Sequence, residues 1–399
     1  MLIRLFIATL VALVILVSGY YYIYQTIFEP ILGNGSSVWL VIFIALCSLT
    51  VLGFLLIRIL PQIIRRFVEL IMFTWMGCSF IFFILCILTV PLKIVISYFN
   101  YSQKIFSLCL FSGGIILIIY CMFQALRKPK IILASIPLSS SVPRQVENLI
   151  VVVLSDIHVS GLIGRRKMLQ LTERVNQLNP DFIFLTGDLM DGSLKQLHKE
   201  IEPLRHLKAK EDIIYITGNH EYYSGPLAWK KHFETDFKWN VLSNSSKTIQ
   251  WQGVSLNILG IEDKHWLAYE KIPKKQDQRL NTSVEHLRQG RSLIEKSPPF
   301  ENCLNILLAH QPKDAKYLKT YPWINLQISG HTHGGQIWPL KYLVKKDQKY
   351  TAGLYKIKEN QYIYVNQGTG FWGPPMRLGS IGEITLMKFV VEHIHQSSH

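Results

Sequence analysis

The stretch Leu149–His158, LIVVVLSDIH, decides the fold: an apolar run centred on three consecutive valines passes directly into a Ser-Asp-x-His tail. A β-branched run this short, apolar at successive positions, reads as a strand buried on both faces. The rhythm recurs. Phe182–Leu185 runs into Thr186-Gly187-Asp188, Ile213–Thr217 into Gly218-Asn219-His220-Glu221, Asn305–Ala309 into His310, and Leu326–Ser329 into Gly330-His331-Thr332-His333-Gly334-Gly335. Val254–Leu259, Tyr362–Asn366 and Ile384–Val391 are further strand-like runs, and Arg165–Leu178, Leu194–Leu207, Pro226–Phe237 and Val284–Glu295 are helical candidates between them. Strands alternating with helices give an α/β domain.

Ligands of open α/β sheets gather beyond the carboxyl ends of the strands. Five such ends deliver Asp, Asn and His to one rim. In an extended chain residues i and i+2 face the same way, so Asp156 and His158 are expected to point together, as are His331 and His333. The flanking glycines Gly187, Gly218, Gly330, Gly334 and Gly335 let backbone crowd against an ion without a Cβ. Mixed carboxylate, imidazole and amide-oxygen ligands favour Mn, Fe or Zn over a thiolate site or an all-oxygen calcium site.

The ordered set D-x-H, G-D, G-N-H-E, an isolated His after a strand, and G-H-x-H resembles the calcineurin-like metallophosphoesterase superfamily over roughly Leu149 to Val391. Leu154-Ser-Asp-Ile-His158, Gly218-Asn-His-Glu221, Gly330-His-Thr-His-Gly334 and Gly373-Pro-Pro-Met-Arg-Leu-Gly379 look most like its membrane-associated bacterial YkuE/YaeI-like branch. G-D alone occurs by chance, whereas all five in order after strand-like runs form a specific signal. The resemblance implies a four-layer αββα sandwich and two divalent metal ions, manganese foremost. It assigns Asp156, His158 and His333 to one ion, Asn219, His310 and His331 to the other, and Asp188 to both. It also implies a metal-bridging hydroxide as nucleophile and His220 as general acid, with Glu221 in the place where many relatives carry Asp and where it would fix the tautomer of His220. Arg377, in the late Gly/Pro-rich loop, reads either as a contact to a phosphate oxygen or as an exposed loop arginine. Asp191 reads as a turn or helix cap, or as a carboxylate touching a ligand. His198, His206, His232, His265, His286, His393, His395 and His399 read as surface or packed residues.

The first third belongs to a different solvent. Up to Ala125 there are six Lys/Arg and two Asp/Glu, against thirty-six and twenty-five beyond it. Leu5–Tyr24, Val38–Leu60, Val68–Val90 and Ile105–Leu126 each approach the ~20 apolar residues of a membrane span. A cleaved signal peptide fits the first less well, because its apolar run continues into Tyr20, Tyr21 and Tyr22 without a small-x-small site. Arg4, the uncharged loop Gln25–Ser37 apart from Glu29, then Arg58, Arg65 and Arg66, and finally Arg127, Lys128 and Lys130 place both ends and the globular part on the cytoplasmic face; Lys93 and Lys104 dissent. No charge pair or relay in these stretches suggests transport, so they read as an anchor in a multi-pass cell-membrane protein. The expected organisation is a four-span anchor over 1–126, a Pro/Ser-rich linker with an edge-strand fragment over 127–148, and the phosphoesterase domain over 149–399.

With 49% hydrophobic and 17% charged residues, a disordered or fibrous chain is excluded. Cys47, Cys78, Cys86, Cys109 and Cys121 lie in apolar runs and only Cys303 outside them, so neither a disulfide framework nor a Cys-x-x-Cys zinc site is available. The expected function is hydrolysis of a phosphodiester or pyrophosphate, with an amphiphilic substrate preferred because anchoring confines the enzyme to the bilayer plane. Cleavage of UDP-2,3-diacylglucosamine in lipid A synthesis, a soluble cyclic nucleotide, a non-catalytic scaffold and a transporter with a regulatory domain are the alternatives. No nucleic acid is expected as partner. The basic runs Lys264–Lys275 and Lys341–Lys349 read as solvated loops or as a surface for anionic headgroups. Phe371, Trp338 and Trp372 read as core, or as contacts to an acyl chain.

Overall fold

The computed structural model describes residues 14–33, 60–271, 278–292 and 302–391, together with 41, 45, 48 and 53. They fall into two compact units, one of residues 1–126 with 373–376 and one of residues 127–372 with 377–399.

The first unit is helical. Residues 14–23 are helical and pass through a π turn at Tyr24–Phe28 into Glu29–Leu32. Long helices follow at Gln62–Leu88 and Gln103–Leu126, with a shorter one at Val90–Tyr98. Within the first and last of these, Ile64–Leu88 and Gln103–Leu126 each have a mean hydropathy of 2.4 and are long enough to cross a bilayer. These correspond to the third and fourth expected spans; most of the second and residues 5–13 of the first lie outside the described residues. Gly114 lets the two long helices approach, since a Cβ there would strike the Phe82 ring, while nothing stands within 4 Å of a Cβ on Gly113. Ser107 Oγ donates to the Thr26 carbonyl at 2.8 Å, satisfying one polar group inside the apolar bundle.

The second unit is built on twelve strands: β1 Lys130–Leu138, β2 Val151–Leu154, β3 Phe182–Leu185, β4 Asp212–Tyr215, β5 Asn240–Val241, β6 Ser245–Trp251, β7 Val254–Ile261, β8 Cys303–Ala309, β9 Leu326–Ser329, β10 Gly353–Lys358, β11 Gln361–Val365 and β12 Glu383–Val391. They form two six-stranded mixed sheets, ordered β1-β12-β2-β3-β4-β5 and β10-β11-β9-β8-β7-β6. The inward faces meet in one apolar core. Val151, Val153, Phe182, Phe184 and Ile214 from the first sheet cluster there with Leu256, Ile258, Leu304, Ile306, Leu308 and Ile328 from the second. Alternate residues of the second sheet, Leu259, Ile261, Leu307 and Ala309, pack outward against Leu280 and Val284 of the helix Arg279–Ser292. On the first sheet the outward-facing Val152, Leu154, Ile183 and Leu185 are equally buried. Strands covered on both faces explain the unbroken apolar runs of the sequence.

One sequence expectation takes definite form and another changes. Residues 127–148, expected as a linker with an edge-strand fragment, contain the edge strand β1, which pairs with β12 along all nine residues, and the 3-10 turn Arg144–Asn148. As an edge strand it tolerates Pro137, whose missing N–H makes the stretch look like linker. Lys341–Lys349, read as a solvated loop, is mostly a helix, Leu340–Gln348, with only Gln348 buried.

Candidate metal centre

β2, β3 and β4 run parallel and adjacent, and so do β8 and β9, so their carboxyl ends open on one rim. Asp156 and His158 follow β2, Asp188 follows β3, Asn219 follows β4, His310 ends β8 and His331 follows β9. The loops are stitched together by backbone: Asp156 N–H donates to the Gly187 carbonyl (3.0 Å), His158 N–H to Asp188 O (3.1 Å) and Gly330 N–H to His310 O (3.0 Å).

The expected ligands gather in two groups. Asp156, His158 and His333 present donor atoms within 4.8 Å of one another, and Asp188, His310 and His331 do the same. In the first, His158 Nε2 faces His333 Nε2 at 3.0 Å, and His333 Nε2 stands 3.5 Å from Asp156 Oδ1. In the second, His310 Nε2 lies 3.1 Å from Asp188 Oδ2, with its ring 5.0 Å from that of His331. His310 Nδ1 donates to the Thr186 carbonyl at 2.7 Å, which turns Nε2 toward the Asp188 carboxylate. Asn219 Oδ1 is buried without a hydrogen-bond partner among the described residues. Buried acceptors normally find partners, and donors of this kind left open fit a divalent cation.

The route by which Asp156 and His158 converge differs from the extended i, i+2 reading. Asp156 (φ 50°), His158 (φ 52°), Asp188 (φ 53°), His331 (φ 68°) and His333 (φ 50°) all occupy the left-handed region, so each ligand sits on a kink after its strand. Two glycines are fixed by close approach. A Cβ on Gly218 would collide with the Asp188 carboxylate, and one on Gly330 with Ser155 Oγ and the Asp156 carboxylate.

The charges are tightly coupled. Burial opposes ionisation of Asp188, but His310 and His220 outweigh it and hold its carboxyl well below the usual range; in return Asp188 holds His310 well above the usual imidazole value. Burial and the neighbouring His310 push His331 down to about 3, and burial with His158 and Arg377 pushes His333 well below its ordinary value. His331 and His333 are therefore held neutral, whereas Asp188 favours the charged form of His310.

His220 opens the short helix Asn219–Ser224, its N–H donating to Asp188 Oδ1 at 2.8 Å. Its ring partner is Asp191, not Glu221. Asp191 Oδ1 accepts from His220 Nδ1 at 2.6 Å and from His158 Nδ1 at 2.9 Å, so one carboxylate orients two imidazoles. Burial works against charge on His220, yet Asp188 and the Asp191 bond raise its pKa to about 9. Glu221 is fully buried and accepts instead from the N–H groups of Asp188 (3.0 Å), Leu189 (2.7 Å) and Gly218 (2.6 Å), tying the loop after β3 to the end of β4. The expectation that Glu221 fixes the His220 tautomer is thus corrected. The spacing of Asp191 after Asp188 was the only sequence signal for its role.

Arg377 is also corrected. Only 1% exposed, it spends its donors on the carbonyls of His333 (3.2 Å), Gln367 (2.9 Å), Gly368 (3.2 Å) and Gly370 (2.6 Å) and on Ser380 Oγ (3.0 Å). It is neither an exposed loop residue nor free to meet a phosphate; it fastens the loop behind His333. His265, read as a surface residue, donates or accepts through Nε2 with the Tyr223 hydroxyl at 3.1 Å and through Nδ1 with Asp263 Oδ1 at 2.6 Å.

Residues 149–335 match the family model for calcineurin-like phosphoesterase. A transmembrane protein with metallophosphoesterase domain from Bos taurus is 34% identical over 66% of this chain and 58% of its own length. An uncharacterised metallophosphoesterase of Campylobacter jejuni is 31% identical over 71% of this chain and 70% of its own. The uncharacterised metallophosphoesterase YkuE of Bacillus subtilis is 29% identical over 62% and 81%. The chain spans less than three fifths of the length of the vertebrate relatives it matches, 58% and 59% for the cattle and zebrafish proteins. A relative above 30% identity matched over most of its length, together with the motif order and the ligand groups, means that the chain belongs to the calcineurin-like metallophosphoesterases, a family of metal-dependent phosphoester hydrolases.

Proposed function

We propose that this chain is a membrane-anchored phosphoesterase with two divalent cations at its centre, cleaving a phosphodiester or pyrophosphate of an amphiphilic substrate. The observation that carries the reading is the pair of buried ligand groups, Asp156/His158/His333 and Asp188/His310/His331, with the open Asn219 Oδ1 beside the second. Asp188 suits both ions because its two carboxylate oxygens can serve one each. Two such cations, when bound, polarise phosphoryl oxygens and lower the pKa of water toward ~7. The chain supplies the rest: Asp191 fixes the rings of His158 and His220, and His220 offers Nε2 to the leaving oxygen. Manganese is the favoured occupant, with iron or zinc as alternatives, because the ligands are oxygens and imidazoles without a thiolate.

The two helices long and apolar enough to span a bilayer support anchoring, and the sequence adds two further spans, giving four over 1–126 ahead of the catalytic domain. Lys/Arg distribution in the connections favours a cytoplasmic catalytic domain. Anchoring makes a lipid or lipid-linked phosphoester the natural substrate.

The test uses the full chain purified in nanodiscs. Its metal content is measured, and hydrolysis of bis-p-nitrophenyl phosphate, phospholipids and UDP-diacylglucosamine is followed with and without Mn2+. Two metal equivalents, chelator-sensitive activity and loss of at least a hundredfold in Asp188→Asn are expected; full activity in that variant or in strong chelator would overturn the mechanism.

A further inference from the structure

His220 does not stand alone on the rim. Its ring meets Tyr223 edge-on at 5.4 Å between centroids and Trp372 edge-on at 5.7 Å. Both rings face solvent, Tyr223 being 65% and Trp372 51% exposed. The imidazole beside them uses Nδ1 on Asp191, so Nε2 is the edge left for a substrate.

Exposed aromatic residues usually move freely, but Trp372 is fixed at its backbone and Tyr223 at its hydroxyl. Trp372 is clamped through its backbone by one side chain: its N–H donates to Gln336 Oε1 at 3.0 Å and its carbonyl accepts from Gln336 Nε2 at 2.8 Å. Gln336 itself has φ 45° and lies three residues after His333. Tyr223 is held through its hydroxyl by a relay. Its hydroxyl meets His265 Nε2 at 3.1 Å, His265 Nδ1 meets Asp263 Oδ1 at 2.6 Å, and Asp263 Oδ2 accepts from Gln311 Nε2 at 2.6 Å. Gln311 follows His310 directly. Each aromatic is thus tied back to a chain segment that carries a candidate metal ligand. Fixing a large apolar surface in water has no benefit in the free protein and a clear one for a ligand, because preorganised rings lose little entropy on binding.

We infer that Trp372 and Tyr223 are specificity-determining jaws that grip an apolar segment of the leaving alcohol beside the oxygen served by His220. The inference rests on the phosphodiesterase reading and narrows its substrate class to esters whose leaving group is apolar next to phosphorus. In the step concerned the P–O bond to that alcohol breaks, water supplies the new oxygen on phosphorus, and His220 Nε2 supplies the alcohol's proton.

The experiment compares three phosphodiesters that share one retained group and differ in the leaving alcohol: phenyl, n-hexyl and 2-hydroxyethyl. They are assayed on the full chain in nanodiscs with saturating Mn2+. The wild type should prefer the phenyl and hexyl esters. Trp372→Ala and Tyr223→Ala should each lower kcat/KM for those two by about three- to tenfold, mainly through KM, and leave the hydroxyethyl ester within twofold. Trp372→Phe should keep the preference, and Gln336→Asn, which suits the left-handed backbone but shortens the clamp, should weaken it with both rings still present. Because phenoxide leaves intrinsically more readily than an alkoxide, the readout is each ester's wild-type to variant ratio: a loss confined to phenyl would assign the jaws to flat rings and one shared with hexyl to lipid chains, and either supports them. Activity without preference, or equal losses on all three esters, would overturn the jaws and leave the hydrolase standing, whereas no hydrolysis of any diester would bring down both.

Discussion

Replacing Asp191 by Asn tests the centre at the point where two of its functions meet. One carboxylate oxygen takes the Nδ1–H groups of His158 (2.9 Å) and His220 (2.6 Å). Each is a hydrogen bond to an ionised group, which contributes about 1.5–3 kcal/mol. Losing both removes about 3–6 kcal/mol, and at 1.36 kcal/mol per decade that is roughly two to four orders of magnitude in kcat/KM. The Asn amide oxygen can still accept one of the two N–H groups, so the lower end, about a hundredfold, is expected. The assay is a manganese titration of bis-p-nitrophenyl phosphate hydrolysis by the full chain. The share acting through His158 appears as weaker metal binding and is recovered at high Mn2+, as carboxylate partners of ligating imidazoles generally affect affinity by about 10–100-fold. The share acting through His220 survives saturation as a lower kcat, largest for poor leaving groups. Glu221→Gln gives the contrast: it meets three backbone N–H groups and no imidazole, so its loss should appear first in thermal stability. Metal affinity and saturated kcat both within twofold of wild type in Asp191→Asn would refute the assignment.

Arg377→Met should destabilise by more than about 3 kcal/mol in denaturant titration, because several buried carbonyls lose their donor, and Arg377→Lys should fail to rescue because one ammonium cannot reach them all. Burial works against the Asp263 carboxylate, yet its bond to His265 holds its pKa below the ordinary value. Since the folded pKa is depressed, the stabilisation is present above the unfolded value of ~3.9 and is lost as pH falls through the folded one, so the Tm gap between wild type and Asp263→Asn should be flat from pH 5 to 8 and shrink below about pH 4. Chelation should lower Tm without unfolding the domain, by an amount set by the metal affinity, about 2.7 kcal/mol where free metal stood at a hundred times Kd; loss of the far-ultraviolet circular dichroism on chelation would contradict this.

Most strands ahead of the candidate ligands were legible as short runs buried on both faces, as in Val151–Leu154 and Phe182–Leu185. Phe182–Leu185 and Leu326–Ser329 match their expected bounds residue for residue. β6 was missed because Ser245–Trp251 is a half-exposed edge strand whose Ser, Lys and Gln resemble a loop, and β5 because two residues leave no period to detect. The residues that gather in the two candidate groups were legible from their places after strands. The partner of His220 was not: choosing between Glu221 and Asp191 requires knowing how the turn after β3 abuts the helix after β4, and the adjacent Glu221 is the misleading neighbour. Arg377 likewise gives no sign in sequence that its loop folds back over the carbonyls behind His333.

The left-handed ligands explain why the centre should keep its form without metal. A non-glycine residue in that region costs roughly 1–2 kcal/mol, and Asp156, His158, Asp188, His331 and His333 all occupy it. Such conformations persist only where neighbours over-determine them. Here the neighbours are the ligands' own carboxylates: Asp156 accepts the His331 N–H at 2.9 and 3.0 Å, and Asp188 Oδ1 accepts the His220 N–H at 2.8 Å. Each carboxylate thereby bends the loop that carries another site residue, and the strain is supported by a core of apolar strands directly beneath. A small zinc domain, by contrast, draws its folding energy from the ion. In this chain the sheets have already met the cost of bending the backbone, so a cation would encounter ligands in position, and its binding energy would remain available for holding the phosphoryl group.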